Sequence, residues 1–236
     1  MLRIENLTKI YGDKRAVDGL SLSIDKGEIC AFIGHNGAGK TTTIKAVCGI
    51  INFDAGEVFI GGKSIKDDPI GCKSQIAYIP DNPDLYEFLS GIKYLNFIAD
   101  VYRISADVRQ ERIRKYAGEF ELTDDLAQPI SAYSHGMKQK LALISALIHE
   151  PTLMVLDEPF VGLDPKAARD LKLMMREICD KGGAIFFSTH ILEVAEKLCD
   201  RVAIIKSGKL IAVGDMDEVK GNASLEDVFF ELEEQQ

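Results

Sequence analysis

Short apolar runs separated by turn residues fill the first 80 positions. "LRIENLT", "LSLSID", "EICAFIG", "EVFIGG" and "SQIAYIP" have strand-like length and β-branched or aromatic content, and each predicts a β-strand. From about Tyr86 to Glu150 the period changes. "YLNFIADVY", "VRQERIRKYAGEF" and "GMKQKLALISALIHE" predict helices, and in the last of these Met137, Leu141, Ile144 and Ile148 fall on one face. Strand character then returns in "TLMVLDEP", "GAIFFST", "RVAIIKSG" and "KLIAVG", with helical patterns over 165–181 and 191–199 between them. The tail "SLEDVFFELEEQQ" predicts a terminal amphipathic helix. The pattern predicts one domain over 1–236: an α/β core from 1–85 and 151–220, a helical insertion at 86–150 and a helical tail at 221–236.

Composition narrows the function classes. The chain has 236 residues, 46% of them hydrophobic, enough for one large core with an insertion. Its net charge of −9 argues against non-specific nucleic-acid binding, which relies on Lys and Arg to neutralise phosphates. Cys30, Cys48, Cys72, Cys179 and Cys199 are scattered, and no C-x-x-C pair occurs, so they read as buried thiols and not as zinc ligands. The most apolar stretches, "ALISALI" and "AIFF", are far shorter than the roughly 20 residues needed to cross a bilayer. The start "MLRIENLTKI" lacks an apolar signal-peptide core. Work at a membrane would therefore require spans on another chain.

Two stretches carry chemistry directly. "GHNGAGKTT" comprises Gly34, His35, Asn36, Gly37, Ala38, Gly39, Lys40, Thr41 and Thr42, and fits G-x-x-x-x-G-K-[ST] between an apolar strand and a helical run. Its glycines let backbone N–H groups curl round a nucleotide phosphate, Lys40 neutralises the β- and γ-phosphates, and the Thr41 hydroxyl is a ligand for Mg²⁺. As side chains, His35 and His149 read as structural. "LMVLDEP" is an apolar strand ending in two acids, placed where a buried strand tolerates charge. Asp157 suits Mg²⁺ and Glu158 suits a general base. A third stretch, "YSHGMKQ", puts Ser134, His135 and Gly136 at a helix start, a place that attracts anions. Lys138 and Lys140 read as a solvated helix face.

In order along the chain, "GHNGAGKTT", "YSHGMKQ", "LMVLDEPFVGLDP" and "FFSTH" resemble the nucleotide-binding domain of ATP-binding cassette (ABC) transporters over essentially the whole length. The resemblance implies an α/β fold: a P-loop NTPase core with an N-terminal antiparallel β subdomain and an inserted helical subdomain. It implies ATP and Mg²⁺ as cofactors. It makes Ser134 and Gly136 part of a signature loop that caps the γ-phosphate held by a second copy or a paralogous ATPase subunit, in a two-fold pair. It also makes Tyr11 the aromatic that stacks on adenine, Asp164 part of the loop crossing between paired domains, and His190 the switch histidine. Asp81 stands where the family commonly has a glutamine that reaches the metal and the attacking water. "YSHGMKQKLAL" and "SLEDVFFEL" are most similar to small exporter-type subunits for drugs, peptides, antibiotics or ions. The implied protein sits at the cytoplasmic face of the membrane, held by a separate permease. The rival readings are an importer ATPase, a soluble non-transport ABC ATPase and, from another class, a P-loop small-molecule kinase.

Overall fold

A computed structural model of the chain describes residues 1–234. β1 (Leu2–Tyr11) and β2 (Lys14–Ile24) form an antiparallel pair closed by a two-residue turn in which Gly12 has positive φ. β3 (Ile29–Ile33) reads "ICAFI" and is buried at every residue, as a central strand covered on both faces should be. It leads through the glycine-rich loop into α1 (Lys40–Val47), then β4 (Ala55–Ile60), β5 (Lys63–Ser64), α2 (Pro69–Lys73) and β6 (Ile76–Ile79). Three helices follow: α3 (Gly91–Val101), α4 (Ala106–Glu119) and α5 (His135–Leu147). The remainder is β7 (Leu153–Asp157), α6 (Pro165–Asp180), β8 (Ala184–Thr189), α7 (Leu192–Leu198), β9 (Arg201–Lys206), β10 (Lys209–Asp215), α8 (Met216–Lys220) and α9 (Leu225–Glu234).

The strands make two sheets, one ordered β2-β1-β4-β5 and one ordered β10-β9-β3-β8-β7-β6. The first is antiparallel throughout. In the second, β3 runs parallel to β8 and β9, β7 runs parallel to β8, and β10 is an antiparallel edge. Buried apolar side chains from both sheets, among them Leu2, Ile4, Val58, Phe32, Val155 and Phe186, join Ile44 and Val47 of α1 in one core. Burying such side chains contributes on the order of 1.5–3 kcal/mol each. Because β3, β7 and β8 are parallel neighbours, their C-terminal ends lie along one edge, where open α/β sheets place their ligands.

The chain forms two compact units. The first comprises 1–78, 152–159 and 175–236, and holds both sheets. The second comprises 79–151 and 160–174, so it begins before the helical run at 86 and takes in the "VGLDP" loop. Within it, α5 and its C-cap bury Leu141, Ile144 and Ile148 of the predicted face, but Met137 at the helix start is only half-buried, and Leu143 and Leu147, outside that spacing, are buried as well. Ile113, Tyr116 and Ala117 of α4 are buried as well. Leucine, alanine and lysine in α5 favour the helix intrinsically, and Ser134 caps its start.

Candidate active site

The loop between β3 and α1 is gripped at both ends by backbone. A side chain at Gly34 would come within 2.4 Å of the Ile205 carbonyl oxygen. One at Gly39, whose φ is +114°, would come equally close to the carbonyl oxygen of Ala16. Only glycine fits either place. Lys40 is 7% exposed and folds back over the loop, donating to the Gly34 carbonyl at 2.5 Å and to that of His35 at 3.3 Å. Burial pulls the Lys40 ammonium below the usual lysine range, and the charges of Glu158 and Asp157 oppose that shift. A buried cation resting on neutral carbonyls is suited to exchange them for phosphate oxygens.

The start of α1 and the ends of β7 and β8 supply the rest of the first constellation. Thr41 Oγ1 donates to Asp157 Oδ2 at 2.7 Å, so a hydroxyl and a carboxylate stand together as the kind of oxygen pair that Mg²⁺ accepts. The residues present therefore fit that ion. Next along, Glu158 has φ of +51°, a conformation that costs a non-glycine residue on the order of 1–3 kcal/mol and concentrates at functional sites. That backbone turn brings its carboxylate back over the sheet edge. Glu158 Oε1 lies 3.9 Å from Lys40 Nζ, and Oε2 lies 2.9 Å from His190 Nδ1 and accepts from the His190 amide at 3.3 Å. Lys40, Thr41, Asp157, Glu158 and His190 thus meet at one edge of the parallel sheet. Tyr11, at the end of β1, presents an exposed ring with Lys9 Nζ 5.0 Å from its centroid.

A second constellation lies in the helical unit. The Ser134 hydroxyl caps α5 by accepting from the Met137 amide at 3.2 Å. A serine hydroxyl has two acceptor lone pairs and one donor, so this cap leaves its O–H free to donate to an anion. A Cβ added to Gly136 would stand 3.4 Å from the Gly162 carbonyl oxygen, and the imidazole of His135 covers Gly162 so closely that a side chain there would meet it at 2.5 Å. Lys140 Nζ lies 3.3 Å from Asp164 Oδ2. The loop at 162–164 is therefore tied to the start of α5. Hydrogen bonding from the Ala167 amide, helped by Lys140, holds the Asp164 carboxyl below its usual range.

A family profile described as ABC transporter matches residues 17–161. The chain belongs to the ABC transporter family. It is 38% identical to the uncharacterized ABC transporter ATP-binding protein YhcH of Bacillus subtilis (strain 168), over 98% of this chain and 74% of YhcH. It is 35% identical to the linearmycin resistance ATP-binding protein LnrL of the same organism, over 91% of this chain and 69% of LnrL. A solved structure described as the ATP binding subunit of an ABC transporter superposes with a TM-score of 0.95, covering 99% of this chain and all of that one, at 36% identity.

Two features of this ABC ATPase depart from the sequence reading or escape it. Lys138 and Lys140 do not form a solvated face: Lys138 pairs with Glu87 and Lys140 with Asp164, and both side chains are largely covered. Their carboxylate partners lie far away in sequence, which helical periodicity cannot report. Ser188 is wholly buried in β8 directly opposite Asp157. Its hydroxyl donates to Asp157 Oδ1 at 2.5 Å and accepts from the Glu158 amide at 3.1 Å. It was hidden inside the apolar run "GAIFFST", although two adjacent hydroxyls, Ser188 and Thr189, at the end of a buried parallel strand are themselves a signal. Asp81 lies exposed in the loop after β6, in the helical unit.

Proposed function

We propose that this ABC ATPase pairs with a second copy or a paralogous subunit around two ATP molecules and drives export through a separate membrane permease. The meeting of Lys40, Thr41, Asp157, Glu158 and His190 at one sheet edge carries the reading, since it supplies cation, metal ligands and base together. The name of LnrL, a resistance protein, supports export over import. In this reading the membrane spans belong to the permease; among the described residues no helix is long and apolar enough to cross a membrane. That partner places the ATPase at the cytoplasmic face. Tyr86 and Phe88 are exposed beside Phe97 and offer the permease an aromatic docking patch.

In this reading Glu158 takes the proton of the attacking water and His190 keeps the carboxylate aimed. Lys40, with Ser134 and Gly136 of the paired subunit, offsets charge on the phosphoryl oxygens. Thr41 and Asp157 would hold Mg²⁺, with Asp81 sensing it; the ion supplies further neutralisation of the β- and γ-phosphates when bound. Tyr11 stacks on adenine, and Asp164 lies in the loop that crosses the pair. Glu158→Gln is expected to slow hydrolysis on the order of 10²–10⁴-fold while ATP still binds, trapping an ATP-bound dimer on size exclusion. A variant that turns over freely refutes the assignment of the base. For Asp81, both Asp81→Ala and Asp81→Gln should change the Mg²⁺ dependence of ATPase. Wild-type behaviour in both removes it from the metal site.

A further inference from the structure

The tail helix α9 touches the phosphate loop itself. Its inward face is fixed by Leu225 and Phe229, which are both buried. Ser224 and Asp227 cap its start reciprocally: the Asp227 amide donates to Ser224 Oγ at 3.0 Å, and the Ser224 hydroxyl donates to Asp227 Oδ2 at 2.6 Å. Phe229 meets the imidazole of His35 edge-on at 5.1 Å between ring centroids. One turn further, on the same face, Glu233 Oε2 lies 3.6 Å from His35 Nε2. Lys206 anchors that turn by donating to the Glu233 carbonyl at 2.7 Å. Loop residues 35–38, Lys206 and Glu233 surround a pocket of about 190 Å³ on this flank.

The two ends of the loop are clamped by Ile205 and Ala16, but its crown at 35–37 is not gripped by those contacts. There α9 supplies a brace through the His35 side chain. We propose that α9 is a positioning element for the phosphate loop: acting through His35, it holds the crown in its anion-binding conformation and so sets the affinity for ATP. The inference rests on the reading of this loop as the ATP site. The Glu233–His35 pair is exposed on the histidine side and contributes little. The ring contact carries most of the effect.

The test is titration of the purified chain with MgATP, alongside steady-state ATPase. Phe229→Leu keeps an apolar side chain under the helix and removes the ring edge. It is expected to raise Kd and KM about 3- to 10-fold with kcat changed less than about twofold. His35→Gln should weaken binding by a similar factor, and the double variant should bind no more weakly than either single one, because both remove one contact. Wild-type affinity in both single variants, or losses that multiply in the double variant, overturns the proposal. Lys40→Ala in the same titration separates the two levels. If Lys40→Ala binds like wild type, the loop is not the ATP site; if it fails to bind while Phe229→Leu is unaffected, only the brace falls.

Discussion

Ser188 decides how the acid pair at the end of β7 is held. Its hydroxyl serves Asp157 as a donor and the Glu158 amide as an acceptor, so one buried group fixes both residues. Ser188→Ala would leave Asp157 Oδ1 without that donor in a buried place. A buried polar atom stripped of its partner costs about 1–3 kcal/mol. Ser188→Ala is therefore expected to lower Tm by several degrees and to slow ATP hydrolysis roughly tenfold, as Glu158 loses its aim. Ser188→Thr, which keeps the hydroxyl, should recover most of both, as calorimetry and a phosphate-release assay would show. Unchanged turnover in Ser188→Ala would make the residue a stabiliser alone. Lys40, Thr41 and the two acids were legible because each belongs to a contiguous pattern at a strand end. Ser188 was not, because its role comes from strand register across 31 positions. The left-handed backbone at Glu158 likewise has no local mark, since glutamate rarely adopts it.

At the level of elements, the longer helices were readable from their period and the longer strands from their apolar runs, whereas β5, α2 and α8 are too short to leave either mark. The run 225–234 shows both what a period reveals and where it stops. Its amphipathic spacing foretells a helix with a buried face, yet nothing in the period says that the face includes a neighbour of the phosphate loop. The extent of the helical unit has the same origin: the loop at 162–164 joins it through His135 and Lys140, contacts that lie outside any sequence window. The cap of α9 also predicts a pH response. Hydrogen bonds from the Ser224 hydroxyl and amide hold the Asp227 carboxyl below its usual range. A carboxylate with a depressed folded-state pKa stabilises the fold above its unfolded-state pKa, and that stabilisation disappears as pH falls through the folded-state value. The Tm difference between wild type and Asp227→Ala should thus be constant near neutrality and shrink from about pH 4 downward. A difference that stays flat or widens in acid would show that the charged cap contributes nothing.

On the scale of the whole molecule, one chain carries two features suited to anions, of different construction: a loop with a buried ammonium in one unit, and a capped helix start with a free hydroxyl donor in the other. If each served its own ligand within one chain, damage to either would stay within that chain. The proposed two-fold pairing makes a different demand, because every ATP site then takes its loop from one subunit and its Ser134 from the other. Lys40→Ala and Ser134→Ala should each be nearly inactive alone. When the two variants are mixed, a mixed dimer concentrates both defects in one site and leaves the other site intact. An equal mixture gives mixed pairs half of the time, so ATPase should return to about a quarter of the wild-type rate. The recovery should grow with total protein concentration, because the active species is an assembly. A mixture that stays as inactive as its components, at concentrations where wild type turns over, would break the link between Ser134 and the partner's nucleotide and leave each chain to work alone.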